Sequence, residues 1–191
     1  MSAPTDWKET LEQHRRNKDS YFSDNPQSPI PDAERHDFEG LRYYPPDDDY
    51  RFELDLHEHD EKEQVVVATT TEGERGYLRW GEFRFDVDGE RQTLQAYRRD
   101  ADDPGLWMPF RDETSGEETY GAGRYLDLHP EDDRADDGRW VVDFNLAYNP
   151  FCAYSARYEC PMVPVENWLD VAIEAGEKTY ESSEGYDATA E

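Results

Sequence analysis

The sequence predicts a mainly β protein, an antiparallel barrel or sandwich of about eight or nine strands that follows an N-terminal helix. Three observations favour this fold class. From residue 50 onward, apolar and polar residues alternate with a period of two, which is typical of half-buried strands. The dipeptide Asp88-Gly89 between two such segments is a strong hairpin signal. The chain also lacks the alternation of strands and long helices that a parallel sheet requires.

The N-terminal part of the chain differs in pattern from the rest. Residues 5–22 are predicted to form a surface helix, for which Asp6 is a suitable N-cap. Residues 23–37 contain three prolines, so we expect an irregular connector there. The expected organisation is a helix and connector over 1–37, a single β domain over 38–180, and a disordered tail over 181–191.

Nine segments of the β domain are predicted to be strands, because they alternate or are rich in β-branched and aromatic residues. They are Arg51–His59, Gln64–Thr71, Gly76–Trp80, Glu82–Val87, Arg91–Arg98, Trp107–Phe110, Arg124–Leu128, Trp140–Asn145 and Trp168–Ala175. In the last segment Leu169, Val171 and Ile173 alternate with Asp170 and other residues. This period favours a strand, and a helix is the alternative.

Acidic residues dominate the composition. Asp and Glu number 47 against 20 Lys and Arg, so the formal net charge is −27. Such self-repulsion opposes folding in dilute buffer, but in about 1 M salt the Debye length falls to roughly 3 Å and the repulsion is screened. The composition therefore predicts a protein adapted to high salt. A disordered acidic chain is the alternative, and the dense aromatic and β-branched runs disfavour it.

The charge also bears on partners and location. A strongly negative surface repels phosphate backbones and anionic lipid headgroups, so we expect neither nucleic-acid nor membrane binding. The chain has no apolar run of about 18 residues, and its N-terminus has no apolar leader segment, so a cytoplasmic protein is expected. The acidic runs are expected to attract solvent cations without a defined site. No cofactor is predicted.

Cysteines and histidines offer little support for a metal site. Cys152 and Cys160 belong to no CxxC motif, and we expect them to be reduced and buried, with a disulfide or a metal contact as alternatives. His57 and His59 share one face of a predicted strand, but the apolar residues of that strand lie on the other face. These imidazoles are therefore expected to face solvent.

Several long segments resemble a known family. They are FRDETSGEETYGAGRYLDL, DFNLAYNPFCAYSARYECPMVPVENWLDVAIEAGEK and the hairpin GYLRWGEFRFDVDGERQTLQAY. With shorter pieces such as KDSYF and FEGLRYYPP, they resemble the family of unknown function numbered 1684 over about residues 15–180. The resemblance implies a common fold and a common site, but no reaction.

The candidate site combines a glycine-containing loop with the ends of the late strands. Glycines in the loop TSGEETYGAG allow the backbone to approach a ligand closely, and Arg124 follows directly as a group that binds carboxylate or phosphate in bidentate fashion. If the sheet curls, the strand ends converge on one cavity. The predicted ligand-binding residues are Asp112, Tyr120, Arg124, Asp143, Asn145, Tyr148, Asn149, Glu177 and Lys178.

Three roles remain open for these residues. Arg124 with Asp143 or Glu177 could form a buried structural ion pair, or the set could line a ligand cavity, or it could form a catalytic centre. The leading hypothesis is a small-molecule binding domain. An anionic ligand is favoured because Arg124 and Lys178 are unusual cations in an acidic chain.

Two other functions are alternatives. One is an enzyme, for example a hydrolase that uses a carboxylate near Arg124 as general base, which would require a carboxylate in a dry pocket with a raised pKa and no ion partner. The other is a protein-interaction domain with an exposed aromatic surface.

Overall fold

The computed structural model of the protein describes residues 6–182 and 184–186. Within them the helices are α1 (Trp7–Asp24), α2 (Asp32–Arg35) and α3 (Pro130–Asp133). The strands are β1 (Arg51–Leu54), β2 (His57–Ala68), β3 (Glu74–Val87), β4 (Glu90–Arg98), β5 (Leu106–Phe110), β6 (Arg124–Leu128) and β7 (Trp140–Asp143). None of the described helices is long and apolar enough to cross a membrane.

The strands form two antiparallel sheets. The larger sheet has the order β2-β3-β4-β5-β6, so each strand pairs with its neighbour in the chain, and the smaller sheet pairs β1 with β7. Asp88 and Gly89 join β3 to β4 with φ angles of 51° and 80°. Positive φ at both positions is what a two-residue hairpin turn needs, so the predicted hairpin is confirmed.

The main core connects the two sheets. The Phe52 ring of β1 lies 5.2 Å from that of Phe85 on β3. The Phe144 ring, directly after β7, lies 5.3 Å from the rings of both Phe85 and Phe110. The architecture is therefore mainly β and sandwich-like. Within the described residues the edge strands β2 and β6 do not pair with each other, so the sheet does not close into a barrel.

The strand count is seven in the described residues, against eight or nine expected. The predicted strands Gly76–Trp80 and Glu82–Val87 are one strand, β3, whose pairing with β4 shifts register between Arg79 and Gly81. A bulge of this kind interrupts the alternation of side chains without ending the strand. The predicted strand Arg51–His59, in contrast, is divided between β1 and β2.

The prediction of a strand over residues 168–175 is wrong. The alternation is present, since Leu169, Val171 and Ile173 are buried. However, within the described residues the segment forms one isolated bridge, between Trp168 and Arg111, and a further backbone hydrogen bond, from the Glu113 amide to the Val171 carbonyl at 2.9 Å. Further along, the Ile173 amide donates to Asp112 Oδ2 at 2.6 Å. The partner of this backbone amide is therefore a side chain and not a neighbouring strand. The alternative of a helix is also not observed.

The ends of the chain differ in part from expectation. The N-terminal helix is confirmed as α1, and the connector after it contains the short helix α2, which begins after Pro31. In the predicted tail, the Tyr186 amide donates to the Cys152 carbonyl at 2.7 Å and the Ala156 amide donates to the Glu184 carbonyl. These contacts differ from the expected disorder. Residues 183 and 187–191 of the predicted tail lie outside the described residues.

Candidate functional site

The guanidinium of Arg124 lies inside the protein, only 1% exposed. It donates to the carbonyl oxygens of Ile173 at 2.9 Å, Glu177 at 3.2 Å and Ala175. Asp112 Oδ2 lies 3.4 Å from its Nη2 atom. Burial lowers the pKa of Arg124, and the charge of Asp112 counteracts this effect. The guanidinium therefore holds the extended segment that leads to residue 177.

Asp112 acts on the same segment from the glycine-containing loop. Its carboxylate accepts the Ile173 amide at 2.6 Å and the Thr114 hydroxyl at 2.8 Å. The Thr114 hydroxyl also contacts the hydroxyl of Thr119 at 2.8 Å. This loop therefore supplies a structural acceptor, and its polar atoms bind protein groups.

Glu177 is buried to the same degree as Arg124, at 1% exposed, and its carboxylate has three donors among the described residues. They are the Lys18 ammonium at 2.8 Å, the Tyr154 hydroxyl at 2.8 Å and the Asn149 amide at 3.0 Å. Lys18 belongs to α1, so this carboxylate ties the N-terminal helix to the β domain. The Asn149 side chain in turn donates to the Lys178 carbonyl at 3.0 Å.

Asp143 and Asn145 also contact the N-terminal helix. The indole N–H of Trp7 donates to Asp143 Oδ2 at 2.8 Å, and Arg15 lies within 3.4 Å of the Asn145 carbonyl. The Asn145 side chain donates to the carbonyl of Asp47 at 2.8 Å. The strand end at β7 is therefore the place where α1 docks.

The structure thus brings part of the predicted set together, but around protein partners. Four predicted residues belong to the segment 173–178 or bond to it, namely Arg124, Asp112, Glu177 and Asn149. The remaining members lie elsewhere. The Lys178 ammonium lies 4.5 Å from the Tyr44 ring, and the Tyr120 hydroxyl donates to the Tyr186 carbonyl. Asp143 and Asn145 lie under α1. Tyr148 lies at a separate cavity.

That cavity has a volume of about 380 Å³, which is in the range of ligand pockets. It lies between the start of β3, the loop before β5, the strand β6 and the segment around Tyr148. Its walls contain both aromatic and charged side chains. The residues that line it are Arg75, Tyr77, Arg99, Asp103, Gly105, Leu106, Trp107, Tyr125, Asp127, His129, Tyr148 and Pro161. We call it the aromatic cavity.

Four aromatic rings form one continuous series along the aromatic cavity. The rings of Tyr77 and Trp107 are stacked with their centroids 4.5 Å apart. Tyr125 meets Trp107 edge-on at 5.2 Å and meets Tyr148 edge-on at 5.8 Å. Each ring is thus held by its neighbour, so the wall is preformed.

One carboxylate in the aromatic cavity has no cationic partner within the part of the chain that the structure describes. Asp127 accepts a hydrogen bond from the Tyr148 hydroxyl and takes part in no ion pair there. Burial raises the pKa of Asp127, and the hydrogen bond from Tyr148 and the charge of His129 offset this only in part. The charge of Asp103 raises the pKa further.

Two arginines border the aromatic cavity near the Tyr77 hydroxyl. Burial raises the pKa of Tyr77, whereas a hydrogen bond from Arg75 and the charges of Arg75 and Arg99 lower it. In the described part of the chain, Arg75 lies 3.5 Å from the Glu159 carboxylate and donates to the Glu159 carbonyl at 3.0 Å, and Arg99 lies 3.4 Å from Asp103. The side chain of Arg75 is 45% exposed and that of Arg99 is 81% exposed. They are therefore accessible to an anion.

Sequence reasoning found Tyr148 but missed the rest of the aromatic cavity. On β6 the period of two places Tyr125 and Asp127 on the face opposite Arg124, and that signal was present in the sequence. The contributions of Arg75 and Arg99 could not be read there, because they come from other segments of the chain.

Two other groups of possible metal ligands are the cysteines and an acidic run. Cys152 and Cys160 are free and buried, as expected. The carboxylates of Asp47, Asp48 and Asp49 lie within 4.8 Å of one another, and the last two are exposed. Such an exposed acidic run attracts hydrated cations.

Comparisons with known proteins agree with the fold. The solution NMR structure of the uncharacterized protein from gene locus rrnAC0354 of Haloarcula marismortui is similar, with 46% sequence identity and a TM-score of 0.70. The match covers 91% of this chain and 95% of that chain. No curated protein matches this chain. The family described as "Protein of unknown function (DUF1684)" matches residues 36–178, and the chain therefore belongs to the DUF1684 family.

Proposed function

We propose that the protein binds a small organic anion in the aromatic cavity. The observation that carries this proposal is a ligand-sized cavity with four aromatic rings and two loosely paired arginines, Arg75 and Arg99. The proposal keeps the anionic ligand expected from the sequence but moves the binding away from Arg124. The guanidinium of Arg124 is directed at carbonyl oxygens and Asp112, so it has little capacity left for a ligand.

The rings and the arginines have different roles in this proposal. The half-buried rings of Trp107 and Tyr148 contribute affinity because their accessible apolar surface loses hydration when a ligand covers it, and the buried rings of Tyr77 and Tyr125 support them. The arginines contribute selectivity for the anion, since a guanidinium pairs with a carboxylate through two parallel hydrogen bonds. The chain carries a net charge of −27, which repels anions in general. Two cations at the opening of the cavity reduce this repulsion locally.

Phenylacetate, which joins one ring to one carboxylate, is a suitable probe. We expect its titration, followed by amide and side-chain NMR shifts, to perturb Tyr77, Trp107 and Tyr125. The double variant Arg75→Gln/Arg99→Gln should weaken binding at least about tenfold, because it removes both bidentate donors. The matched control is Arg84→Gln/Arg91→Gln, which removes the same charge from two exposed arginines on the β3–β4 hairpin.

The control variant is expected to bind phenylacetate as the wild type does. Equal weakening in both double variants would mean that only net charge matters. Shifts confined to residues outside the aromatic cavity would also contradict the proposal.

A hydrolase is a second candidate function, and Asp127 favours it. The enzyme alternative required a carboxylate near Arg124, in a dry pocket, with a raised pKa and no ion partner. Within the described residues Asp127 has the raised pKa and no ion partner, but it is exposed and does not lie beside Arg124. Such a group can act as a general base toward water. Asp127→Asn should then abolish turnover of p-nitrophenyl acetate or p-nitrophenyl phosphate. Equal turnover in the wild type and the variant, or none in either, would exclude this role for these substrates.

The protein is also proposed to work in a salt-rich cytoplasm, as its composition predicts. The support is the formal charge of −27, which requires screening before the compact state is favoured.

A further inference from the structure

The two ends of the aromatic cavity carry opposite charges. Arg75 and Arg99 lie near the hydroxyl of Tyr77, whereas Asp127 lies near the hydroxyl of Tyr148. The arginines are loosely paired with carboxylates of their own, and Asp127 is in no ion pair among residues 6–182 and 184–186. A simple anion would satisfy the arginines but would leave Asp127 as an unpaired like charge in the same cavity.

We infer that the ligand is a zwitterion, with an alkylated ammonium group held by Asp127 and the aromatic rings, and a carboxylate held by Arg75 and Arg99. This inference rests on the proposed function and specifies the chemical class of the ligand. It explains why one cavity in a very acidic protein contains both two cations and an unneutralised carboxylate.

The carboxylate of Asp127 is positioned for this role. The Tyr148 hydroxyl donates to Oδ2, and no other donor to this carboxylate is found in the described part of the chain. The Tyr148 bond orients the group and leaves Oδ1 for a ligand. Asp127 is the exposed residue of β6 and lines the cavity, so a ligand can reach that oxygen.

The ring series favours an alkylated ammonium over a bare one. A cation within about 6 Å of an aromatic centroid gains roughly 0.5–2 kcal/mol, and cages of several rings are typical sites for quaternary ammonium groups. The cavity presents the rings of Tyr77, Trp107, Tyr125 and Tyr148 in one series, with adjacent centroids 4.5 to 5.8 Å apart. A methylated ammonium is weakly hydrated and needs no hydrogen-bond acceptor for each N–H group, so rings and one carboxylate are sufficient partners.

Three probes of nearly the same shape separate the charges. Trimethylglycine carries both charges, 3,3-dimethylbutanoate replaces its nitrogen by carbon and is only an anion, and choline is only a cation. We expect NMR titrations of the full chain to show trimethylglycine binding at least about tenfold tighter than either of the others. The perturbed resonances should include those of Trp107 and Tyr148.

Variants then assign each charge to its residue. Asp127→Asn should reduce the affinity for trimethylglycine to that for 3,3-dimethylbutanoate, without weakening the anion itself. Arg75→Gln/Arg99→Gln should weaken both carboxylates and leave choline unchanged. Asp86→Asn, at an exposed position on the β3–β4 hairpin, is the control for removal of one negative charge and should change nothing.

The outcomes distinguish the two proposals. If 3,3-dimethylbutanoate binds in the aromatic cavity as tightly as trimethylglycine, the ligand is a simple anion, so the inference is wrong and the proposed function stands. Choline binding as tightly as trimethylglycine would show that the arginines play no part, which contradicts both. No binding of any probe, including phenylacetate, would also overturn both.

Discussion

Lys18 and Glu177 form an ion pair that we expect to contribute strongly to the free energy of unfolding. The ammonium of Lys18 is 19% exposed and the carboxylate of Glu177 is 1% exposed, with 2.8 Å between them. A buried carboxylate is tolerated only while its charge is compensated by a cation and hydrogen bonds. Lys18 is one of four lysines in the chain, so this cation has few substitutes.

Lys18→Met is therefore expected to lower the free energy of unfolding by about 2–4 kcal/mol, because it leaves the Glu177 carboxylate buried without a cation. Lys8→Met, at an exposed position on the same helix, should change it by less than about 0.5 kcal/mol. Urea unfolding at fixed salt measures both. Similar values for the two variants would show that the pair contributes little.

Asp127 should make stability depend on pH in a defined direction. Because burial raises its pKa in the folded state, the folded chain binds this proton more tightly than the unfolded chain. Its contribution to stability is thus lost as pH rises from about 4, the unfolded pKa, through the raised folded pKa. Asp127→Asn should stabilise the protein at pH 7, and the gain should shrink as pH falls toward 4. A gain independent of pH would contradict this reasoning.

At the scale of elements, the N-terminal helix is held by polar contacts and by the buried Phe22, whose ring lies 5.1 Å from that of Tyr154. Only Leu11 and Phe22 of α1 are buried, whereas Trp7, Arg15 and Lys18 bond to the β domain. Of the groups that were expected to surround a ligand, Asp143, Asn145 and Glu177 contact side chains of this helix. The sequence indicated that these groups are polar and close together, but not that another part of the chain covers them.

The extended segment at residues 168–175 illustrates a second limit of local pattern. Its alternation correctly predicted which residues are buried, because alternation reports the environment of side chains. It could not report the backbone partners. These partners are the backbone groups of Arg111 and Glu113, which bond to Leu169 and Val171, and further along the side chains of Arg124 and Asp112. All of them lie about 50 to 60 residues earlier in the chain.

Two glycines with the same backbone conformation test the turn that ends this segment. Gly176 has φ of +82°, and a Cβ there would lie 2.8 Å from the carbonyl oxygens of Ala147 and Phe144. Gly89 has φ of +80° with no atom within 4 Å of such a Cβ. Gly89→Ala should thus cost only the conformational strain, about 1–2 kcal/mol.

Gly176→Ala adds overpacking to the same strain, for a total of roughly 2–5 kcal/mol. Thermal or urea unfolding of both variants gives the comparison. Equal losses would mean that the backbone around Gly176 moves away without cost.

At the scale of the whole molecule, charge is the dominant property. With 47 acidic and 20 basic residues, repulsion acts over about 10 Å in 0.1 M salt and over roughly 3 Å in 1 M salt. The free energy of unfolding should therefore rise steeply between these concentrations of sodium chloride. A variant with five exposed acids replaced by amides, at Asp60, Glu61, Glu72, Asp102 and Asp132, should show a smaller rise. Identical salt dependence of both proteins would attribute the effect to something other than screening.

The sequence by itself determined the fold class, the N-terminal helix, the β3–β4 hairpin and the family, because these depend on local period, turn chemistry and long matching segments. Only the tertiary structure decided the roles of the polar residues. Whether Arg124 meets a carbonyl or a ligand, and whether Asp127 shares a cavity with Arg75, depends on contacts between distant segments. The sheet order and the docking of α1 bring those segments together, and no local pattern of residues specifies such contacts.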